Sequence, residues 1–274
     1  MRLLGTLIPL GLLALPAVAE EISAADLPAR VLAEAPQVLV LGEIHDNPGH
    51  HQNQAAAVAA LAPKALVFEM LSPEQAAQVT PELIAQPAKL GEVLGWEAAG
   101  WPDFALYAPI FAAAPEAKIY GAALPRAQVR RAFTEPLDAL LPEGARYGLD
   151  TPYPADVQTE LEAETQADHC DALPPEMLPG MVAAQRLRDA AFAQTTLAAR
   201  AQTGGPVALI TGSGHARTDR AVPALIARAD PAVRLLTLGQ LERPAEGEID
   251  PDQPFDIWIV TDPTPREDPC AAFR

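Results

Sequence analysis

Basic residues are scarce in this chain of 274 residues, which has 19 Lys and Arg against 36 Asp and Glu and a formal charge of −17 at pH 7. Such an excess of negative charge disfavours binding to nucleic acids and to anionic membrane surfaces, because both are themselves negative. It is compatible with cations or neutral molecules as ligands. We therefore expect no nucleic-acid partner.

Long apolar runs are also missing, apart from one near the N-terminus. Arg2 is followed by an apolar core over residues 3–15 and by the small residues Ala17-Val18-Ala19, the three parts of a secretory signal peptide. The core is too short to span a membrane. We predict a signal peptide over residues 1–19 and a periplasmic or secreted mature protein, since no Cys lies beside the cleavage site to carry a lipid anchor.

Cysteine is nearly absent, since Cys170 and Cys270 are the two in the chain. An exported protein meets an oxidising compartment, where a pair of cysteines is expected to form a disulfide. We predict one disulfide between Cys170 and Cys270. The alternative is a pair of thiolate metal ligands, although the CxxC spacing typical of such ligands is missing.

Several catalytic signatures are missing as well. The sequence has no phosphate-binding loop, no dinucleotide fingerprint and no zinc helix motif with two His four residues apart. Ser213 lies in Gly212-Ser213-Gly214-His215, but the Gly-x-Ser-x-Gly pattern of a nucleophilic serine is absent. The sequence therefore does not favour a nucleotide-dependent enzyme or a serine hydrolase.

The sequence does contain a regular alternation of short apolar runs and helical patterns. The apolar runs predict buried strands over residues 38–41, 65–68, 118–123, 207–210, 233–238 and 257–260. Helical patterns separate them, and the longest covers residues 181–201. Strands that alternate with helices form a mainly parallel sheet. We therefore predict an α/β fold, with helices flanking the sheet, for residues 20–274 as a single domain.

Residues 142–180 differ from the rest of the chain because they are rich in proline and in acidic residues. They lie between two of the predicted strands. We predict that this segment is an inserted cap or mobile lid over a pocket, rather than a second domain with its own core.

A Gly-x-x-His pattern follows two of the predicted strands, as Gly42-Glu43-Ile44-His45 and as Gly212-Ser213-Gly214-His215. Two further strands lead to Glu69 and Arg126. In a parallel sheet the carboxyl ends of the strands meet at one edge, where ligands bind. We therefore expect both histidines, Glu69 and Arg126 to share one site.

Two imidazoles and a carboxylate suit a divalent metal such as zinc or manganese, with one position left open for water. His45, His215 and Glu69 are the expected ligands. Glu43 would then orient a ligand or act as a general base on the bound water. Arg126 would neutralise a carboxylate or an oxyanion. Taken singly, each group also has an ordinary explanation, as a turn residue, a helix cap or an ion-pair partner.

The other histidines carry weaker signals. His50 and His51 lie in the first turn of the helix after His45, where they either face the same crevice or take surface or packing roles. His169 lies beside Cys170 in the acidic segment and is expected to be solvated. The sequence does not decide between the roles of His50 and His51.

The ordered motifs of the chain resemble those of the ChaN-like haem-binding uptake proteins, which belong to the Tiki/EreA/ChaN/TraB superfamily. The similar stretches are Leu41 to Asn47 with His50-His51, Phe68-Glu69-Met70, Leu124-Pro125-Arg126, Gln185 to Asp189, and Gly212 to Arg217 with Val222-Pro223. The resemblance implies an α/β fold whose paired Gly-x-x-His motifs, Glu69 and Arg126 line one pocket. It also implies an exported protein that binds haem and takes part in haem or iron uptake or handling.

Haem needs an axial His or Tyr, an apolar slot and cations for its propionates. The candidate iron ligands are His45, His215, Tyr147 and Tyr153, and the candidate cations are Arg126, Arg130, Arg131 and Arg217. Glu69 is expected to line the same pocket. The expected partners are haem or another small molecule, a second copy of the chain in a homodimer, and an uptake system at the outer membrane or in the periplasm.

Two other functions stay open. The superfamily also contains metal-dependent proteases and an esterase, so the alternative is a metal-dependent hydrolase with His45, Glu69 and His215 around a divalent metal and Glu43 as the base. The third is a non-catalytic protein that binds a partner and whose pocket is vestigial. The ChaN branch is described as lipoproteins, and this chain departs from it because a lipid-anchoring Cys is missing.

Overall fold

The computed structural model describes residues 19–268, 270 and 271. The predicted signal peptide lies outside these residues apart from Ala19, so it stays a prediction. Within the described residues, parallel pairings join the strands into one sheet. The strands are β1 (Glu20–Glu21), β2 (Val38–Glu43), β3 (Ala65–Phe68), β4 (Lys118–Gly121), β5 (Val207–Gly212), β6 (Leu235–Glu242) and β7 (Ile257–Thr261). Their order across the sheet is β1-β7-β6-β2-β5-β3-β4, which confirms the predicted α/β fold with a mainly parallel sheet.

Helices connect the strands and cover both faces of the sheet. They are α1 (Leu27–Glu34), α2 (Pro48–Leu61), α3 (Pro73–Ala76), α4 (Pro81–Ile84), α5 (Pro87–Val93), α6 (Trp96–Ala99), α7 (Phe104–Ala113), α8 (Arg126–Arg131), α9 (Ala155–Asp168), α10 (Leu178–Thr203) and α11 (Val222–Ala229). Short 3-10 turns occupy Leu137–Ala139, Gly144–Tyr147, Pro175–Met177 and Ser213–Ala216. None of the helices in this part of the chain is long and apolar enough to cross a membrane.

Proline sets where several of these helices begin. Pro48 and Pro73 each stand in the first turn of their helix, where the missing N–H is not needed and the fixed φ suits a helix. The Asn47 side chain accepts hydrogen bonds from the backbone N–H groups of Gly49 and His50 and so caps α2. The turn that carries His45 therefore has a fixed end.

The core lies in two layers, one on each face of the sheet. Alternate strand residues point to opposite faces. Leu39, Leu41 and Phe68 pack on the α2 and α7 side, where Phe68 stacks on Phe111 with ring centroids 4.3 Å apart. Val38, Val40 and Val67 pack on the α10 and α11 side. Because both faces are covered, the central strands are mainly apolar, and the candidate site residues follow where the strands end.

Residues 142–180 contain two 3-10 turns and the helix α9, none of whose residues is buried. α9 lies against α10. Whether this segment moves as a lid stays a prediction.

A disulfide joins Cys170, just after α9, to Cys270 near the C-terminus, as the sequence predicted. The chain between β7 and this disulfide, residues 262–268, is called the C-terminal strap below. The strap residue Arg266 donates to both carboxylate oxygens of Asp46, at 2.9 and 2.7 Å, and to Glu242 at 2.6 Å. The hydrogen bond from Arg266 lowers the pKa of Glu242 to about 2. The strap therefore braces the turn that follows β2 and is itself tied to the segment that contains α9.

Candidate functional site at the carboxyl edge of the sheet

Four neighbouring strands deliver the predicted site residues to one edge of the sheet. His45 follows β2, and His215 lies in the 3-10 turn after β5. Glu69 comes directly after β3, and Arg126 begins α8 after β4. The order β2-β5-β3-β4 is contiguous and parallel, so all four groups lie at the carboxyl edge.

Glu43, the last residue of β2, is a buried carboxylate that orients His45. Its Oε1 lies 2.8 Å from His45 Nδ1 and accepts a hydrogen bond of 2.8 Å from the Tyr107 hydroxyl. Burial alone would raise the pKa of Glu43, but the hydrogen bond to His45 and the neighbouring His51 outweigh burial and lower it to about 2. The His45 side chain is 34% exposed and meets the edge of the Trp101 ring at 5.0 Å. Glu43 therefore stays ionised and holds the Nδ1 edge of the His45 ring, while the rest of the ring is accessible.

The two adjacent histidines on α2 have structural roles around the same turn. His51 Nε2 lies 2.9 Å from the His45 carbonyl oxygen, and its Nδ1 lies 3.2 Å from Glu43 Oε2 in an ion-pair contact without hydrogen-bond geometry. His50 Nδ1 accepts a hydrogen bond of 2.8 Å from the Ile44 N–H. Burial lowers the pKa of His50 to about 4, which keeps it neutral and able to accept that bond.

His215 is held by a second buried carboxylate, Asp189 of α10. His215 Nδ1 lies 2.7 Å from Asp189 Oδ1, and the Gln185 amide lies within 3.3 Å of the ring nitrogens. On the other side, His215 Nε2 lies 3.5 Å from Glu69 Oε1. Burial would lower the pKa of His215, but the charges of Glu69 and Asp189 outweigh it and raise the pKa. Each Gly-x-x-His histidine is thus paired with a buried carboxylate.

Glu69 is fixed between the two histidines by the end of β5. Its Oε2 accepts hydrogen bonds from the Thr211 hydroxyl at 2.7 Å and from the Gly212 N–H at 2.9 Å. A Cβ placed on Gly212 would lie 3.2 Å from His45 Nε2 and 3.8 Å from Glu69 Oε2. His45 and Glu69 therefore approach each other over the backbone of Gly212, and a larger residue there would crowd His45.

Arg126 lies apart from this group, on the wall of an adjoining cavity of ≈ 850 Å³. That size is within the range of about 300–1,000 Å³ usual for small-molecule sites. The cavity is bounded by α8, α9 and α10, and Tyr153, Asp189 and Gly214 also line it. Asp189 and Gly214 join the cavity to the histidine cluster, although His45, Glu69 and His215 themselves are not among its lining residues.

Positive charge is concentrated in this cavity, despite the acidity of the chain. Six arginines line it: Arg126, Arg130, Arg186, Arg188, Arg217 and Arg220. Arg217 pairs with Asp219, and Arg220 pairs with Glu164. The side chains of Arg126, Arg130 and Arg188 make no hydrogen bond or ion pair to another described residue, and all three residues are exposed. The cavity is therefore suited to a ligand that carries negative groups.

The sequence overlooked several partners that shape the site. Tyr107 and Asp189 are the main ones; Asp189 entered the sequence analysis only as part of a stretch that resembles the family. Arg131, expected as a candidate cation, instead forms a bidentate pair with Glu135 on α8, at 2.8 and 2.7 Å. In the part of the chain that the structure describes, no group of three or more His, Cys, Asp or Glu is placed to hold a metal ion. The metal-ligand set His45, Glu69 and His215 therefore gains no support.

The solved structure named "Cofacial heme binding to ChaN of Campylobacter jejuni" matches with a TM-score of 0.58 and 19% identity, over 85% of this chain and 90% of that one. The type III effector HopBA1 matches with a TM-score of 0.50 and 14% identity, over 91% of this chain and 99% of that one. At these identities the two neighbours support the fold alone. None of the curated proteins compared with the chain matches it.

The family model described as haem-binding uptake, Tiki superfamily, ChaN matches residues 30–226. This range begins in α1 and ends in α11, so it includes both Gly-x-x-His turns, Glu69 and Arg126. The chain therefore belongs to the ChaN haem-binding uptake family of the Tiki superfamily.

Proposed function

We propose that this chain is an exported haem-binding protein of haem or iron uptake, and that haem binds in the arginine-lined cavity at the carboxyl edge of the sheet. Family membership supports haem as the ligand. The proposed location of the haem rests on one observation. A single cavity combines unpaired arginines, apolar side chains and a half-buried tyrosine.

The residues of the cavity fit the three demands of haem. Apolar walls for the porphyrin come from Leu124, Val129, Phe133, Leu161, Met181 and Val182. Arg126 and Arg130 are free to pair with propionates, because they have no other ionic partner among the described residues. When bound, haem would supply an iron centre, and the protein would supply the ligand, the apolar slot and the charges that hold it.

Tyr153 is the proposed iron ligand. It lines the cavity, and its hydroxyl makes no hydrogen bond to another described residue, so the oxygen is available. His45 and His215 do not line this cavity. Tyr147 is buried in the core and does not line the cavity. In this proposal both Gly-x-x-His histidines and Glu69 shape the edge beside the cavity rather than bind iron.

A second copy of the chain and an uptake-system partner belong to the same proposal. The solved ChaN structure is named for cofacial haem binding, and two haems brought face to face suit a pocket shared by two subunits. Sedimentation of this protein with and without haemin would detect such a dimer. A monomer in both states would contradict it.

Titration of the purified protein with haemin tests the proposal. We expect a shifted Soret band that saturates at one haemin per chain. Tyr153→Phe should remove the ferric tyrosinate charge-transfer band, and Arg126→Ala with Arg130→Ala should weaken binding by about tenfold or more, since ligand charges would lose their partners. Arg131→Ala is the matched control, because this arginine is next to Arg130 but is already paired with Glu135.

Three results would contradict the proposal. A Soret band that stays as in free haemin would mean that the chain does not bind haem. An unchanged spectrum in Tyr153→Phe would exclude Tyr153 as the ligand. If Arg131→Ala weakened haemin binding as much as Arg126→Ala and Arg130→Ala do, the propionates would bind outside the cavity.

A further inference from the structure

Arg186 is packed directly on Tyr153. The guanidinium carbon lies 4.1 Å from the centroid of the Tyr153 ring. Arg186 Nη2 donates a hydrogen bond of 2.7 Å to the Gly148 carbonyl oxygen, which fixes the guanidinium in place. Arg186 Nε is buried and has no hydrogen-bond partner. A half-buried cation with an unpaired donor lowers the stability of the fold. A functional role for the contact with Tyr153 would account for this arrangement.

We propose that Arg186 is a positioning residue that holds the Tyr153 ring in place and balances the charge of its oxygen as an iron ligand; this inference rests on the proposed haem function. In the haem-bound protein the phenol would have given its proton to water, and its oxygen would be the ligand. The guanidinium, fixed by its hydrogen bond to the Gly148 carbonyl oxygen, lies over the ring and would compensate that negative charge. Without Arg186, the ring would lose both this contact and the compensating charge.

The position of the pair supports this role over one in holding propionates. Tyr153 and Arg186 line both the ≈ 850 Å³ cavity and a second cavity of ≈ 340 Å³ on the other side, so together they form part of the wall between the two. Arg186 is half-buried in that wall, whereas Arg126, Arg130 and Arg188 are exposed. The exposed arginines are placed to meet ligand charges, and Arg186 is placed to meet Tyr153.

The test compares two ligands across matched variants. Arg186→Gln removes the charge but keeps a donor for the Gly148 carbonyl, and Arg186→Lys keeps both the charge and a donor. The ligands are ferric haemin and protoporphyrin IX, which has the same propionates and ring but no iron. Arg131→Gln is the control, because Arg131 does not line the cavity and is already paired with Glu135.

We expect Arg186→Gln to lose at least about tenfold in haemin affinity, the effect of removing an opposite charge at this distance, together with most of the ferric tyrosinate band. Its affinity for protoporphyrin IX should stay within about twofold of the wild-type value. Arg186→Lys should restore the band, and Arg131→Gln should leave the band unchanged. Arg186→Met serves as the charge-free variant should the Gln variant not fold.

Three outcomes overturn the inference. An equal loss of haemin and protoporphyrin affinity in Arg186→Gln would assign Arg186 to the propionates. A tyrosinate band that survives in both charge-free variants would show that the cation is not needed. Loss of the band in Arg131→Gln would show that the band responds to any loss of positive charge and not to Arg186 in particular. By contrast, wild-type protein that binds no haemin would remove the proposed function, and the inference with it.

Discussion

Replacing Glu43 by Gln should destabilise the protein strongly near neutral pH and much less in acid. The pKa of Glu43 is lowered from 4.5 to about 2, which corresponds to about 3 kcal/mol of folding free energy. Because the folded pKa is the lower one, this stability is fully present above pH 4.5 and is lost as the pH falls towards 2. The Glu43→Gln variant would keep a partner for the Tyr107 hydroxyl but would lose the charge that faces His45 and His51.

His45 contributes in the opposite direction. Burial would lower the pKa of His45, but the hydrogen bond to Glu43 and the charge of Glu69 outweigh it and raise the pKa above 6.5. Its share of stability is therefore present below pH 6.5 and is lost as the pH rises through the raised value. The Glu43–His45 pair should stabilise the fold most between pH 4.5 and 6.5.

Urea unfolding followed by tryptophan fluorescence measures this effect, with wild type and Glu43→Gln compared at pH 6 and pH 3. We expect a gap of about 3 kcal/mol at pH 6 that shrinks to about half or less at pH 3. Glu116→Gln, at an exposed carboxylate, is the control and should change little at either pH. A gap of the same size at both pH values would refute the reasoning, because it would show that Glu43 acts through packing and not through its charge.

Three further predictions concern coupling, the disulfide and the acidic segment. His45→Ala and His215→Ala should be non-additive in unfolding free energy by about 0.5 kcal/mol or more, because both histidines interact with Glu69; additive losses would mean that the two turns are independent. Cys170→Ser with Cys270→Ser should lower stability by about 4–5 kcal/mol in urea unfolding, since the bridge closes a loop of 100 residues; two reactive thiols in unreduced wild-type protein would contradict the bridge itself. Limited proteolysis should cut first within residues 142–180 and more slowly with haemin, and cutting at the same rate in both states would count against a lid.

Most of the sheet could be predicted from the sequence because its central strands are buried on both faces and contain runs of four apolar residues, or nearly so. β1 could not, since Glu20–Glu21 carries no apolar pattern and is a strand because it pairs with β7. β6 was predicted to end at residue 238 but continues to Glu242. The cause is Gln240, which is buried yet satisfied, with its side-chain amide donating to the carbonyl oxygens of Gly42 and His50. A buried polar residue of this kind interrupts an apolar pattern without ending the strand.

The edge of the sheet at which the candidate residues meet was predictable, because parallel strands fix it. The residues that contact these candidate residues were not predictable. Tyr107 reaches Glu43 from 64 residues away, and Asp189 reaches His215 from 26 residues away; the packing of α7 and α10 creates both contacts. The cavity that contains Arg126 and Tyr153 likewise depends on how α8, α9 and α10 pack, and a single sequence does not specify that packing.

The C-terminal strap has a consequence for the order in which the site is built. Arg266 reaches back 220 residues to Asp46, next to His45. A ribosome makes the Gly42-to-His45 turn early, well before its brace exists. At that stage the turn can form with its local contacts, such as the Asn47 cap, but it gains the contact from the strap only after Arg266 has emerged. A chain that stops short of Arg266 would therefore retain the Glu43–His45 pair and lack one of the contacts that hold the turn.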